Sequence, residues 1–541
     1  MDLDTNIVWY RDSKDIQPFN LSRLVSSRNP DAHAFFTAAP FPWHYSSLED
    51  LWDGALLQHS PEENTAKWTQ LVDRWKGVLL VGSVGRLLAL SVRGKAGPNL
   101  SLKILNPEGS LHTEWNVLCT AWALSSINPF NPLAIVAVSN VIFIFDLNSQ
   151  KVIGSIRGHG LPITSISVHP RHPEIFCSSS KDLTTRFYNV SEYTRQRPNN
   201  PHWPPSKEPS LAGAAFGLQM STSEGQGVGR CVAVLAGGRS GGHEAAVLCA
   251  ALHPYSPLIA TCGRDRAVKI WALPAFQDEA LVREDKPLFS TRFIHKGAVL
   301  SISWLSQDIL ISHSAPAIMR KDPDGDDIYY EEGTIVIWRW LGFERFFPPD
   351  KPPQPNLRGC ASDYTNSESF KIISCYSLPM TTRKLHVYRP NNGDPLLLIP
   401  MGKKIRIFNI TNFKPRERPP FPLTIPPQKY TKGKHSKRDE DSDEEDSDPE
   451  SDEERDGDLD SEERNDEVSF RPSHLPKILF ESVDSWEIGA DNEATDVADI
   501  AACGIGFGGE MIWSVGEKST LAIWKLNKGT STGADCTYSW D

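Results

Sequence analysis

Long apolar runs are missing from this 541-residue chain. No stretch approaches the roughly 18 consecutive apolar residues that a membrane-spanning helix needs. The opening MDLDTNIVWYRD has neither a basic start nor an apolar core, so it does not read as a secretory signal. C-x-x-C is absent too. The nine cysteines are scattered at 119, 177, 231, 249, 262, 360, 375, 503 and 536. An odd, unpatterned set predicts reduced thiols in an intracellular protein, with neither a zinc site nor a disulfide framework. There is no phosphate-binding G-x-x-x-x-G-K-[ST], no G-x-S-x-G, no H-E-x-x-H and no G-x-G-x-x-G opening a helix. The glycine-rich GIGFGG (504–509) falls between two strand-like runs and reads as a turn. These absences leave no catalytic, cofactor-binding or metal-ligating residue to assign.

A basic excess is also lacking. The net charge is −12, yet 439–467 alone holds 19 Asp and Glu against two Arg, or −17. The remainder is therefore −12 + 17 = +5, mildly basic. That is less than a nucleic-acid-binding surface would need.

What the chain does have is a repeat. GHGLPITSISVHPRHPEIFCSSSKDLTTRFY (158–188) and GHEAAVLCAALHPYSPLIATCGRDRAVKIW (242–271) align on their Gly-His pairs. His159 to His169 and His243 to His253 are both ten residues, and a proline follows each second histidine. His159 to Asp182 is 23 residues and His243 to Asp265 is 22; each Asp stands six before the closing aromatic. Short β-rich runs separated by turn residues, framed by GH and an Asp six before Trp, make the WD-repeat pattern, in which four strands form one propeller blade. The polar positions then have a structural role. His243, Thr261, Asp265 and Trp271 would form one buried hydrogen-bond chain, and so would His159, Ser178 and Asp182, with Tyr188 in place of Trp. Any of these groups buried without a partner would be costly.

Weaker copies at 34–92, 116–147, 298–340, 384–410 and 498–526 bring the count to seven. FNLSRLV (19–25) is predicted to close the ring by pairing with the blade that ends at Leu526, which protects the sheet edges. The fold class is thus all-β: a seven-bladed WD40 β-propeller with loop insertions and one inserted helix. Residues 19–431 and 469–530 form the propeller, and 1–18 and 531–541 are tails. The inserted helix is predicted at 61–76. It has a capping box of Ser60 and Glu63, Pro61 at its first position, and Trp68, Leu71, Val72 and Trp75 on one stripe. A Pro-, Ser- and Gly-rich stretch (191–226) and an acidic stretch (320–332) read as loops. The basic-then-acidic segment 432–468 reads as disordered. Its Ser442, Ser447, Ser451 and Ser461, each followed by acidic residues, suit an acidophilic kinase.

Several stretches resemble the Polycomb EED (extra sex combs) family. SVHPRHPEIFCSSSKDLTTRFYNV (167–190) is similar to its F-H-P-R-D-P…S-x-S-K-D-x-x-x-R-x-W-N segment. CGRDRAVKIWAL is similar to C-G-M-D-H-x-x-K-x-W, and FSTRFIHKGAVLSISWLSQDILISHS (289–314) to F-S-T-R-x-I-H…V-R-W-L…I-L-S-K-S. LCTAW (118–122) and FPW (41–43) match shorter landmarks. The insertions mark a divergent member.

The resemblance implies a nuclear, non-catalytic core subunit of Polycomb repressive complex 2, beside its other subunits. It implies that a helix of the SET-domain methyltransferase docks in a groove on one face. S-adenosylmethionine and zinc would belong to that partner, with no cofactor here and no membrane or direct nucleic-acid site. It also implies an aromatic cage for trimethyl-lysine of histone H3. The cage positions fall on Phe36 (Thr37 if the register has no gap), Leu118, Leu385 and His386. Tyr388 would contribute only after a shift of two or three residues. The cage is therefore expected to be degenerate and histone-tail binding weak. A rival reading is a scaffold or substrate receptor of another nuclear complex, such as a cullin ubiquitin ligase; the W-D-x-R blade ending common in such receptors is absent.

Overall fold

The computed structural model describes residues 18–27, 35–92, 97–104, 117–195, 223–237, 241–276, 281–320, 328–349, 364–380, 382, 384–390, 393–416, 477–489, 499–516, 520–526 and 538–540. Strands dominate, and among the described residues they form seven four-stranded antiparallel blades, of which two and three are joined in one nine-stranded sheet and the last carries a fifth, parallel strand. Blade one is built from Thr37–Pro40, Val78–Ser83, Arg86–Ser91 and Asn99–Lys103; blade two from Val117–Leu124, Pro132–Val138, Val141–Asp146 and Lys151–Arg157. Blade three takes Ile163–Val168, Ile175–Ser180, Thr185–Tyr193 and Gly225–Leu235; blade four takes Val247–Leu252, Leu258–Gly263, Val268–Ala272 and Phe289–Thr291. Blade five comprises Val299–Trp304, Ile309–Ser314, Gly333–Trp340 and Phe370–Leu378, and blade six His386–Tyr388, Leu396–Met401, Lys404–Asn409 and Ser485–Gly489. Blade seven joins the two ends of the chain. Ile500–Gly506, Met511–Gly516 and Thr520–Leu526 are completed by Phe19–Ser27, which pairs antiparallel from Phe19 opposite Leu526 to Ser26 opposite Thr520.

Second strands such as Val78–Ser83 and Leu258–Gly263 are buried along their whole length, because both faces of a blade pack against neighbours. The apolar core is therefore divided into seams between adjacent blades. Leu258, Ala260, Trp304 and Trp338 fill the seam of blades four and five. Val81, Leu90, Trp513 and Ile523 fill the seam that closes the ring between seven and one.

The inserted helix runs Pro61–Trp75, with Trp68, Leu71, Val72 and Trp75 all buried. Trp68 Nε1 donates to His44 O at 2.9 Å, and the Trp75 ring meets Trp122 edge-on at 5.6 Å. The capping box does not form. Ser60 adopts a left-handed backbone (φ 53°, ψ 60°) and its side chain makes no cap hydrogen bond, while Glu63 pairs with Lys67 at 2.6 Å. An N-cap side chain reaches the first turn from an extended backbone, which Ser60 does not have. Short helical turns, Ser47–Asp50, Leu51–Gly54 and Ala55–Gln58, precede the helix.

Three other expectations need correction. Residues 320–332 are not simply a loop: Ala317–Arg320 and Ile328–Glu331 pair as a hairpin between the second and third strands of blade five. The stretch 191–226 is partly strand, since Thr185–Tyr193 and Gly225–Leu235 extend into it. Tyr538–Trp540, expected to be tail, pairs parallel with Val25–Ser27. Ser442, Ser447, Ser451 and Ser461 lie outside the described residues.

Blades two and three share an edge. Gly225–Gly227 pairs with Ile156–Gly154, so two outer strands that would each present unpaired backbone cover one another. Glycine is required there. A Cβ on Gly227 (φ +73°) would overlap Ile153 O, and one on Gly154 would overlap Val228 O.

Candidate functional site

The first strand of every blade runs in the same direction around the ring, so the residues that open these strands gather at one mouth. Phe36 precedes the first strand of blade one, partly buried, its N–H donating to Gly82 O at 3.0 Å. Thr37, the next residue, starts that strand opposite Gly82. Leu118 is the second residue of blade two and 45% exposed. His386 opens blade six opposite Leu398 and meets Trp513 edge-on at 6.4 Å. Burial, and then the Lys384 ammonium, push its imidazole down to about 4, so it is neutral near pH 7. Leu385 is at 7% exposure and packs with Ile311, Tyr376 and Leu397 in the seam of blades five and six, where it cannot face a ligand. Tyr388 packs into the seam of blades six and seven. One carbocyclic ring, one neutral imidazole and one exposed aliphatic side chain remain. Exposed Lys384 adds a positive charge beside them.

The hydrogen-bond sets lie deeper. In blade four, His243 Nδ1 meets Asp265 at 2.9 Å and Nε2 meets Thr261 Oγ1 at 2.8 Å, while Trp271 Nε1 donates to the same hydroxyl at 2.9 Å. Asp265 also accepts from the backbone N–H groups of Glu244 and Ala267. Blade three repeats this with His159 Nδ1 to Asp182 at 2.8 Å and Nε2 to Ser178 Oγ at 2.7 Å. Thr184 joins by donating to Asp182 at 2.7 Å. Tyr188 does not complete the chain as Trp271 does. Its ring stacks on Phe176 at 5.0 Å, and its buried hydroxyl lies near Ser178 without an aligned hydrogen bond. That hydroxyl occupies the space a Cβ on Gly158 would need, which explains the glycine.

Ser178, His159 and Asp182 have the residue types of a hydrolase triad, yet all three are buried. A nucleophile needs a substrate within reach and donors for an oxyanion, so this arrangement is structural. Burial works against the ionised Asp182, but the His159 and Arg186 charges with hydrogen bonds from His159 and Thr184 prevail and hold it at about 2. Its stabilising effect is present above the ordinary aspartate value and fades as pH falls toward 2.

A third set is hidden in the sequence. His295 Nε2 meets Ser312 Oγ at 2.7 Å, Trp338 Nε1 donates to Ser312 Oγ at 3.0 Å, and Thr334 stands in for the aspartate at 3.0 Å from His295 Nδ1. The His-to-Ser spacing of 17 residues nearly matches the 18 of blade four. The inserted hairpin stretches Ser312 to Trp338 to 26, against 10 from Thr261 to Trp271.

On the opposite face, the insertion of blade one is tied to the first turn of blade three. Trp52 and Asp53 have left-handed backbones (φ 50° and 56°). Trp52 N–H donates to Arg171 O at 2.8 Å, and Trp52 Nε1 to Glu174 Oε2 at 2.7 Å. Asp53 pairs with Arg171 at 2.6 Å, and His172 lies 3.6 Å from both Asp53 and Glu174. Hydrogen bonding to Glu174, with Coulombic help from Glu174 and Asp53, raises His172 above 6.5 against burial and Arg171. Neighbouring His169 is pushed down to about 4, chiefly by burial. A raised histidine contributes its full stabilisation below pH 6.5 and loses it as pH rises through the folded value. Amide exchange of residues 51–58 is therefore expected to quicken as pH rises above 6.5, beyond its intrinsic pH dependence, and His172→Asn to abolish that excess. An unchanged excess in the variant would remove His172 from the latch.

The WD domain, G-beta repeat family model matches residues 150–189 and 229–272. The chain is 23% identical over 278 residues to the Polycomb protein EED of Chaetomium thermophilum, covering 51% of this chain and 40% of that protein. It is 26% identical over 232 residues to the Polycomb group protein FIE2 of Zea mays, covering 40% and 51%. The matches thus span about half, or less, of these relatives. A chain in the crystal structure of an active polycomb repressive complex 2 in the basal state superposes with a TM-score of 0.55 at 16% identity, over 96% of this chain and 99% of that one. At that identity the superposition establishes the propeller fold.

Proposed function

We propose that this chain is a nuclear, non-catalytic WD-repeat subunit of a Polycomb repressive complex 2-like histone H3 lysine methyltransferase, supporting the SET-domain subunit in gene silencing. The observation that carries this reading is the resemblance to Polycomb EED and FIE proteins, in a chain whose His159–Ser178–Asp182 and His243–Thr261–Asp265 side chains are buried. On this reading a helix of that subunit docks in a groove on one face of the propeller. Affinity purification tests the reading: a SET-domain methyltransferase should co-purify, whereas a cullin adaptor in its place would overturn it.

Methyl-lysine reading by this chain is weak on this proposal. A trimethylammonium donates no hydrogen bonds and is held by aromatic faces, each worth about 0.5–2 kcal/mol. Two rings of the family's set are aliphatic here, so affinity should fall by about 1–4 kcal/mol, roughly tenfold to several hundredfold. Titration of the propeller with histone H3 tail peptides should show less than about tenfold preference for the trimethylated form. A larger preference, abolished by Phe36→Ala or His386→Ala, would show that a working cage exists.

A further inference from the structure

Cys249 and Cys262 stand directly opposite one another on the first and second strands of blade four. Residues so paired have Cα atoms about 4.5–5.5 Å apart, inside the range of about 4.4–6.8 Å that a disulfide spans. Their side chains share a face. Both pack with Leu258, Ala260 and Ile270 in the seam toward blade five, while Ile259 faces the other seam. The other described cysteines stand opposite residues of other types. Cys119 faces Ala137, Cys177 faces Ser167, Cys231 faces Tyr188, Cys375 faces Val336 and Cys503 faces Ser514. Neither thiol is in a disulfide and neither takes part in the His243–Asp265–Thr261 set; both are buried, Cys249 at 4% and Cys262 at 0% exposure, so a peroxide reaches them only when this seam opens locally.

We propose that Cys249 and Cys262 are a redox-sensitive modification site that a hydroperoxide converts to an intramolecular disulfide. The two sulfurs are electrostatically unequal. Hydrogen bonding from the Cys262 thiol holds Cys249 below the ordinary cysteine value, while burial and Cys249 hold Cys262 above it. Cys249, the less deeply buried of the two, is the sulfur that a peroxide meets first, and it attacks as the thiolate. It displaces hydroxide from the peroxide and becomes a sulfenic acid. The Cys262 sulfur then attacks the Cys249 sulfur, its proton leaves with the sulfenic oxygen as water, and the S–S bond forms. In total two thiols and one hydrogen peroxide give one disulfide and two waters. The bond would tie the innermost strand of blade four to its neighbour and fix the turn that carries Tyr255.

The test treats the native full chain with graded hydrogen peroxide, blocks remaining thiols under denaturing conditions, and maps peptides by mass spectrometry before and after reduction. The expected first product is a reducible Cys249–Cys262 cross-link that has lost two hydrogens, formed while Cys177, Cys231, Cys375 and Cys503 stay reduced. In Cys262→Ser, Cys249 should instead proceed to sulfinic acid at the same doses. A wild-type map in which both thiols persist while other cysteines oxidise, or in which Cys249 becomes sulfinic beside a free Cys262, overturns the proposal. The wild-type map decides even if the variant fails to fold.

Discussion

Asp265→Ala is expected to destabilise the propeller by about 3–5 kcal/mol, because it leaves three donors without an acceptor, at about 1–3 kcal/mol for each one that is buried. Its carboxylate is nearly inaccessible, and from the turn between the second and third strands it holds His243 Nδ1, the Glu244 N–H ahead of the first strand and the Ala267 N–H of its own turn. Burial penalises the charge, yet His243 and these donors keep the carboxyl well below the usual aspartate range, so the native state depends on its ionised form. Alanine leaves those donors without an acceptor in a site too tight to rearrange. Asn keeps one acceptor oxygen and should cost less. Denaturant titration of both variants checks the order; a loss under about 1 kcal/mol for the alanine variant would show that the set contributes little.

Trp75→Ala should cost a similar amount, about 3–5 kcal/mol, through the cavity it leaves, but the damage should stay local. The helix Pro61–Trp75 has no side-chain cap and relies on its buried stripe against Phe41, Trp43 and Trp122. A 15-residue helix without such packing is marginal in water. Amide exchange over residues 61–75 should rise strongly, while the seams among blades four to seven keep their protection. Unchanged exchange in the helix would mean that the tryptophan stripe is not what holds it.

These two sites are readable in the sequence for different reasons. The set in blade four is legible because a short, uninterrupted repeat fixes the spacing of His243, Thr261, Asp265 and Trp271. The helix is legible because Trp68, Leu71, Val72 and Trp75 make one stripe at helical spacing, whereas a strand would split them between its two faces. The pairing of Phe19–Ser27 with the last blade follows from the need to remove a free edge. Local spacing fails where contacts are distant or interrupted. The set of His295, Ser312, Thr334 and Trp338 escapes it because a hairpin sits inside the repeat. The Trp52–Glu174 latch joins residues 122 apart. Its left-handed turn uses Trp and Asp, and a bulky Trp does not announce such a backbone. Ser60 matches a capping pattern, yet its backbone turns the other way. Tyr188 occupies the Trp position of the repeat, but a phenol directs its hydroxyl farther out, toward Gly158. At the mouth, the identities of Phe36, Leu118 and His386 are plain in the sequence, but the turn of Leu385 into the seam depends on packing between blades.

On the proposed reading the ring supports a methyltransferase without performing chemistry itself. The decisive experiment is reconstitution with the SET-domain subunit of the same source, following methyl transfer to histone H3 with and without this chain. The chain alone should transfer nothing, it should bind the SET-domain subunit, and leaving it out should abolish most of the complex's activity. Full activity of the remaining subunits without it, or no binding between the two proteins, would contradict that reading.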